Sequence, residues 1–259
     1  MTNAEYHEHP AVSKSDLDLI NRSPLHYISA KKQPKEQTEA LLFGSAVHKK
    51  VLEPEDFDNE FAVAPECDRR TAKGKSEWKE FLESAGNKGI LSAELYAKVL
   101  NVSNAVAENP IVQKLLKGGK AEQSYFWNEC GVECKCRPDY IKNDILIDLK
   151  TTQNASPEAF TKSAFDYRYH VQAWWYLHGL QQCGIDVKNF IFIAVEKTPP
   201  YAVCVYAADD LMLELGKMQA LENLRTYAEC LNSGEWFGYE KEPQLHSLSL
   251  PDWIIKKYF

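Results

Sequence analysis

Residues 136–152, CRPDYIKNDILIDLKTT, decide the fold. Pro138-Asp139 makes a turn pair, and the apolar run Ile145-Leu146-Ile147 leads into Asp148-Leu149-Lys150. A short apolar run bounded by turn formers reads as a strand buried on both faces. Side chains alternate along a strand, so Asp148 and Lys150 share one face. Two carboxylates and an ammonium at the end of a sheet suit metal-assisted attack on a phosphodiester. Carboxylates hold a hard cation such as Mg²⁺, which prefers oxygen ligands and keeps several waters. The cation lowers the pKa of a bound water and offsets charge developing on the phosphate. Taken alone, the stretch equally fits a solvated strand end behind an ordinary turn, so its meaning rests on what accompanies it.

Gly44-Ser45-Ala46-Val47-His48 lies in a segment that reads as a helix over 39–53, stopped by Pro54. Gly44 and His48 are four apart and share a face. A glycine there is expected to let the helix approach another backbone closely. Gln172 and Tyr176, also four apart, sit in the aromatic helix YRYHVQAWWYLHGL. Glu122 in AEQSYFW is expected to open a strand just after Gly118-Gly119. Each has a bland alternative: a core histidine, an aromatic packing face, a surface glutamate. In order they spell GxxxH, Glu, PD, DxK, QxxxY, and each supplies a ligand, an activator or an orienting group for one phosphodiester site.

Asp, spacer, Asp-x-Lys is the pattern of the PD-(D/E)xK nuclease superfamily. GSAVHKKVLEPEDF, CRPDYI, IDLKTT and YRYHVQAWWY further resemble the nuclease region of the RecE family, of the phage exonuclease VIII type. The opening MTNAEYHEHPAVSKSDLD and the closing LSLPDWIIKKY do so too, so the resemblance spans nearly the whole chain. It implies a Mg²⁺-dependent exonuclease, with one or two ions and Mn²⁺ able to substitute. Such an enzyme enters at double-stranded DNA ends and digests one strand 5′ to 3′, releasing 5′-mononucleotides. The 3′ overhang would pass to a RecT-type annealing protein in recombination, and the family is associated with a ring-shaped homotetramer. The resemblance places metal ligands at His48, Asp139, Asp148 and the Leu149 backbone carbonyl, and the catalytic lysine at Lys150. Glu122, Gln172 and Tyr176 match supporting motifs. The well-known RecE polypeptide carries a long N-terminal extension, whereas Met1 here stands almost at the start of the nuclease region, as in a compact stand-alone version.

The net charge of −7 runs against duplex binding, which draws on basic contacts to phosphates. Basic runs at Lys31-Lys32, at Arg69-Arg70 with Lys73 and Lys75, and at 117–120 are each readable as solvated faces. An acidic exterior with a basic channel would reconcile charge and substrate, and Arg69, Arg70, Lys73 and Lys75 are the candidate DNA contacts. No apolar run of about 18 residues is present, so no membrane helix is encoded. The polar N-terminus is unlike a secretory signal, which places the chain in the cytoplasm. The seven cysteines, Cys67, Cys130, Cys134, Cys136, Cys183, Cys204 and Cys230, then stay thiols. Cys134-x-Cys136 is too closely spaced for a structural zinc pair, and the later cysteines lack the clustering of an iron–sulfur site.

Along the chain, Ser13 or Ser15 caps a first helix and Ser23-Pro24 opens a second. A strand at 61–63, the basic loop 69–75, and helices at 76–84 and 92–108 follow. Strands at 122–127, 133–140 and 145–149 read as an antiparallel meander. Next come helices at 157–165 and up to Gly184, strands at 190–195 and 202–206, and a long helix over 209–231. The expected fold is α/β: one domain with a central mixed sheet flanked by helices. Its helical N-terminal part covers about 1–118, its sheet core about 120–232 and its tail 233–259. Clustered aromatics at Trp174, Trp175 and Tyr176 could stack on unpaired bases, although helical spacing makes most of them packing residues. Three competing readings share the chemistry or the fold. They are a restriction-type endonuclease, a RecB- or Cas4-like module acting on single strands, and a non-catalytic protein binding DNA ends.

Overall fold

A computed structural model describes residues 1–33 and 38–258. Its N-terminal half contains α1 (Asn3–Glu8), α2 (Lys14–Arg22), α3 (Pro24–Lys32), α4 (Glu39–Leu52), a 3-10 turn (Pro54–Asp56) and α5 (Phe57–Glu60). There follow β1 (Phe61–Val63), α6 (Ala72–Ala85), β2 (Gly89–Leu91), α7 (Ala93–Glu108) and α8 (Pro110–Leu115). The middle holds β3 (Lys120–Ala121), β4 (Tyr125–Glu129), β5 (Val132–Cys136), β6 (Tyr140–Lys142) and β7 (Ile145–Thr152). The rest is α9 (Pro157–Asp166), α10 (Tyr169–Gln182), β8 (Asn189–Glu196), β9 (Val203–Ala207), α11 (Asp210–Ser233) and α12 (Asp252–Tyr258).

The central sheet runs β3-β6-β7-β8-β9. β7 and β8 pair in parallel, with Asp148 opposite Phe192, and the other neighbours are antiparallel. It is the expected mixed α/β sheet with helices on both faces. Alternation along β7 and β8 divides the interior into two cores. Leu146, Phe190, Phe192 and Ala194 enter one core with Val171, Trp175 and Leu180 of α10. Ile147, Leu149, Ile193 and Val195 enter the other with Val47 of α4 and Val99 and Val102 of α7. β7 is thus packed from both sides, and its polar end is held by apolar neighbours whose burial stabilises the sheet by about 25 cal/mol per Å².

Local signals fix many of the helix starts. Thr38 accepts from the Leu41 amide at 3.3 Å, Ser92 from Leu95 at 3.1 Å and Asp209 from Met212 at 2.7 Å. Such caps satisfy amide donors that the first turn leaves without partners. α11 closes at Gly234, whose φ of 74° a residue with a Cβ adopts at a cost.

Four expectations give way. The meander is two structures, because β4 and β5 form a separate hairpin while β6 joins the central sheet. Pro138 has no N–H to continue a ladder, so the predicted strand 133–140 breaks at Arg137-Pro138-Asp139 and re-pairs. Glu122 opens no strand; it lies between β3 and β4 with φ of 51°, a left-handed corner rare for a residue with a side chain. α6 begins at Ala72, four residues before the expected 76, because Thr71 accepts from the Gly74 amide and caps it there. β1, expected at these residues, pairs in parallel with β2, which is not among the expected strands. α1 and α8 are additional short helices that hydrophobic period does not announce. Among the described residues, no helix is long and apolar enough to cross a membrane.

Candidate active site

The end of β7 forms the floor of an open cleft of about 640 Å³ between α1, α4 and the start of α10. Asp148 and Lys150 share a face as strand alternation requires, with Lys150 Nζ 2.6 Å from Asp148 Oδ2. The other oxygen, Oδ1, accepts from Gln172 Nε2 on α10. Asp148 is only 1% exposed, so with almost no water to solvate it the carboxylate relies on these two partners. Asp139 follows the Pro138 break, and its Oδ2 accepts from the Leu149 amide at 2.7 Å. The same oxygen lies 3.4 Å from His48 Nδ1 on α4. Strand, turn and helix thus converge because the turn residue is tied to the backbone of β7 itself.

One ligand atom from each of His48, Glu122 and Asp139 lies within 4.8 Å of the others. Asp148 stands beside this trio, with its own oxygens on Lys150 and Gln172. The Leu149 backbone hydrogen-bonds the His48 ring. Glu122 is held from behind: Arg137 Nε donates to its Oε2 at 2.9 Å. Arg137 Nη1 also reaches Ser124 Oγ at 3.1 Å and the Met1 and Thr2 carbonyls at 3.4 Å, fastening the N-terminal segment to this wall.

The electrostatics suit a cation. Burial, and then repulsion from Asp148, pushes the Asp139 carboxyl well above its usual range. Burial and the Asp139 charge push Glu122 up to about 7, although Arg137 pulls against them. Burial, with Lys150 nearby, lowers the His48 imidazole. Burial also works against the Lys150 ammonium, but Asp148 and Asp139 outweigh it and keep Lys150 charged. Two carboxylates that resist ionisation beside a neutral imidazole gain most from a divalent ion. Oxygen donors with one nitrogen fit Mg²⁺ or Mn²⁺ better than a thiophilic metal.

The other expectations divide. Gln172 meets Asp148, and Tyr176 lines the cleft. Gly44 also lines it, but a Cβ built there would meet nothing within 4 Å, so it borders open space rather than a close helix approach. Arg69, Arg70, Lys73 and Lys75 do not line the cleft. The Arg69 guanidinium lies 3.4 Å from the centre of the Trp78 ring, and Arg70 pairs with Asp68 at 3.1 Å. Nor do the described residues make the cleft a basic channel, since each lysine and the arginine among those lining it has a carboxylate partner. Lys49 holds Glu53 and Glu60 at 2.6 Å, Arg137 holds Glu122, and Lys150 holds Asp148. Trp175 is fully buried with Nε1 donating to the Lys135 carbonyl, and Trp174 stacks on His178, so packing accounts for both.

Two cleft residues escaped sequence reasoning. Arg137 immediately precedes the Pro138-Asp139 pair, a signal that was available. Tyr169 lies three before Gln172, hence on the same helical face, and Lys150 Nζ sits 4.8 Å from its ring centre.

The PDDEXK-like domain of unknown function (DUF3799) matches residues 13–243. This chain belongs to that family. A PDDEXK-like domain is what the sheet, the Pro138-Asp139 turn and the Asp148-Leu149-Lys150 strand end describe. The crystal structure of a candidate exonuclease from Eubacterium rectale is similar over 100% of this chain and 98% of that one, at 15% identity and a TM-score of 0.65. A phage-related exonuclease from Haemophilus somnus aligns over 90% of this chain and 100% of its own, at 14% identity and a TM-score of 0.39. The first likeness establishes a shared fold, and the second is too slight to argue from. No curated protein sequence matches.

Proposed function

We propose that this PDDEXK-like domain is a divalent-metal-dependent exodeoxyribonuclease. It acts at the ends of linear double-stranded DNA and removes one strand 5′ to 3′, leaving a 3′ overhang. The observation that carries the reading is the His48, Glu122 and Asp139 group with the Asp148–Lys150 pair beside it in one cleft. Exonuclease is also the name given to the Eubacterium rectale protein of the same fold. Polarity, a RecT-type annealing partner and a ring of four copies rest on the resemblance to the RecE family.

A bound Mg²⁺ would supply an activated water and a counter-charge for the phosphate. His48, Glu122, Asp139 and the Leu149 carbonyl would hold it, with Asp148 at hand for a further bond. Lys150 stays cationic against Asp148 and presents its ammonium to a phosphate oxygen or the attacking water. Gln172 fixes the Asp148 carboxylate, and so the direction in which Lys150 points. Water adds to phosphorus as the bond to the 3′ oxygen of the terminal nucleotide breaks. That nucleotide leaves with its 5′ phosphate.

Nucleotide release from linear duplex DNA, measured beside covalently closed circles with and without Mg²⁺, tests the proposal. Release from linear DNA alone, abolished by chelation, is the expected result. Cutting of circles would make the enzyme an endonuclease, and absence of metal-dependent release would remove the catalytic reading.

A further inference from the structure

The corner between α9 and α10 holds an aromatic surface that the chemistry above does not use. Tyr169 lines the cleft, with its ring beneath the Lys150 ammonium. The Tyr167 ring stacks on it at 5.8 Å between centroids and 24° between planes. Tyr169 in turn stacks on Phe192 of β8, at 5.7 Å and 25°. A column of rings therefore runs from the sheet, past the reactive lysine, to the surface. Its outermost member, Tyr167, is 64% exposed.

This exposure is not that of a loose loop. Arg168, between the two tyrosines, adopts the left-handed region with φ of 55°. Its guanidinium donates to Asn223 Oδ1 at 2.6 Å and to the Leu17 carbonyl at 3.3 Å, and pairs with Asp18 at 3.2 Å. Lys14 Nζ donates to the Tyr167 carbonyl at 2.8 Å. The corner is tied to α2 on one side and α11 on the other, and a strained backbone is retained there. A fixed corner that presents an aromatic ring to water, in register with a cleft ring, is a preorganised stacking surface.

We infer that Tyr167, backed by Tyr169, is a binding site for an unpaired nucleobase of a strand whose phosphate lies at Lys150. The inference rests on the nuclease reading for the nature of the strand. Stacking tolerates any base because every base has a π-face. It asks no cation of the protein, which suits a cleft whose lysines and arginine, among the described residues, are already ion-paired. The site also replaces the tryptophans as the stacking element, since Trp175 is buried and Trp174 is covered by His178.

The test uses the full chain and a short single-stranded oligonucleotide carrying 2-aminopurine near its 5′ end, with Ca²⁺ as the cation. Stacking is expected to quench the fluorescence on binding, and Tyr167→Phe to preserve the quench. Tyr167→Ala should relieve it and weaken binding about 5- to 10-fold. Replacing the base by an abasic site should weaken wild-type binding by a similar factor, and Tyr167→Ala should then add little. A quench unchanged in Tyr167→Ala, equal losses for the base-bearing and abasic strands, or no oligonucleotide binding by the wild type would each overturn the inference. Nucleotide release by the wild-type protein in Mg²⁺ is scored separately, so failure of the nuclease reading is distinguishable from failure of the stacking site. Circular dichroism of Tyr167→Ala verifies that an exposed ring was removed without loss of fold.

Discussion

The end of β7 and the run from Arg69 to Lys75 are both charged clusters conspicuous in the sequence, and the structure treats them in opposite ways. At β7, Asp148 and Lys150 are held between two apolar cores, bonded to each other and to Gln172. At the second cluster, Arg69 lies on Trp78, Arg70 pairs locally with Asp68, and Lys73 and Lys75 belong to the first turn of α6. The difference is desolvation. Charges surrounded by apolar packing must find partners in fixed positions, and fixed positions are what chemistry requires. Charges in water need no partner, and crowding along the sequence does not bring them to a site.

The largest test of this contrast is Asp148→Asn. It keeps volume but removes the charge and turns one of the two accepting oxygens into a donor, and nucleotide release is expected to fall by about 10³-fold or more. Asp148→Ala should be equally inactive, and both replacements should destabilise, the alanine by about 3–5 kcal/mol, because each leaves the largely buried Lys150 without its nearest counter-charge. Thermal melting separates the two effects. An alanine variant as stable as the wild type would show that the pair is better solvated than its burial indicates.

Next comes the wall behind Glu122. Arg137→Ala should weaken Mn²⁺ binding about tenfold, measured by titration calorimetry without DNA, since partners that orient a ligand typically matter by that factor or more. Arg137→Lys should recover only part of the loss, because an ammonium cannot reach Glu122, Ser124 and the N-terminal carbonyls with one planar group. Wild-type affinity in Arg137→Ala would remove Glu122 from the ligand set.

A smaller, graded effect follows from the raised carboxylates. Glu122 keeps its proton up to about pH 7, and a metal ion must displace it. Apparent metal affinity should therefore rise as pH increases through about 7, with proton release detectable by comparing buffers of different ionisation enthalpy. Glu122→Gln should flatten that part of the profile.

The smallest effect is expected at the second cluster. Replacing Arg69, Arg70, Lys73 and Lys75 by alanine together should leave metal affinity unchanged and shift stability within about 0.5 kcal/mol per site. The dependence of duplex binding on salt should keep its slope. A slope reduced by about 0.9 for each residue replaced would place this run on the DNA path and break the comparison.

Much of the site was legible in the sequence because its parts obey local rules. Alternation put Asp148 and Lys150 on one face, and four-residue spacing put Gln172 and Tyr176 on one side of a helix. Gly44 was misread for the same reason: spacing gives the face of a helix, not whether that face meets a backbone or open space. The predicted strand 133–140 joined two real strands across Pro138, because alternation continues through a residue that the hydrogen-bond ladder does not. Arg137 was passed over since its partner Glu122 lies 15 residues earlier, on a left-handed corner that composition does not reveal.

By itself, then, the sequence determined the buried strand carrying Asp148 and Lys150, the capped helices around it, and the order of groups able to hold a cation. These follow from backbone geometry and hydrophobic period, which act over a few residues. Tertiary structure alone decided that β6 leaves β5 to pair with β7, and that His48 and Glu122 close on Asp139. It also decided that, among the described residues, the lysines and the arginine of the cleft are ion-paired and that Tyr167 stays in water. These depend on how two cores pack on opposite faces of one sheet, a balance among residues far apart in the chain that no local pattern records.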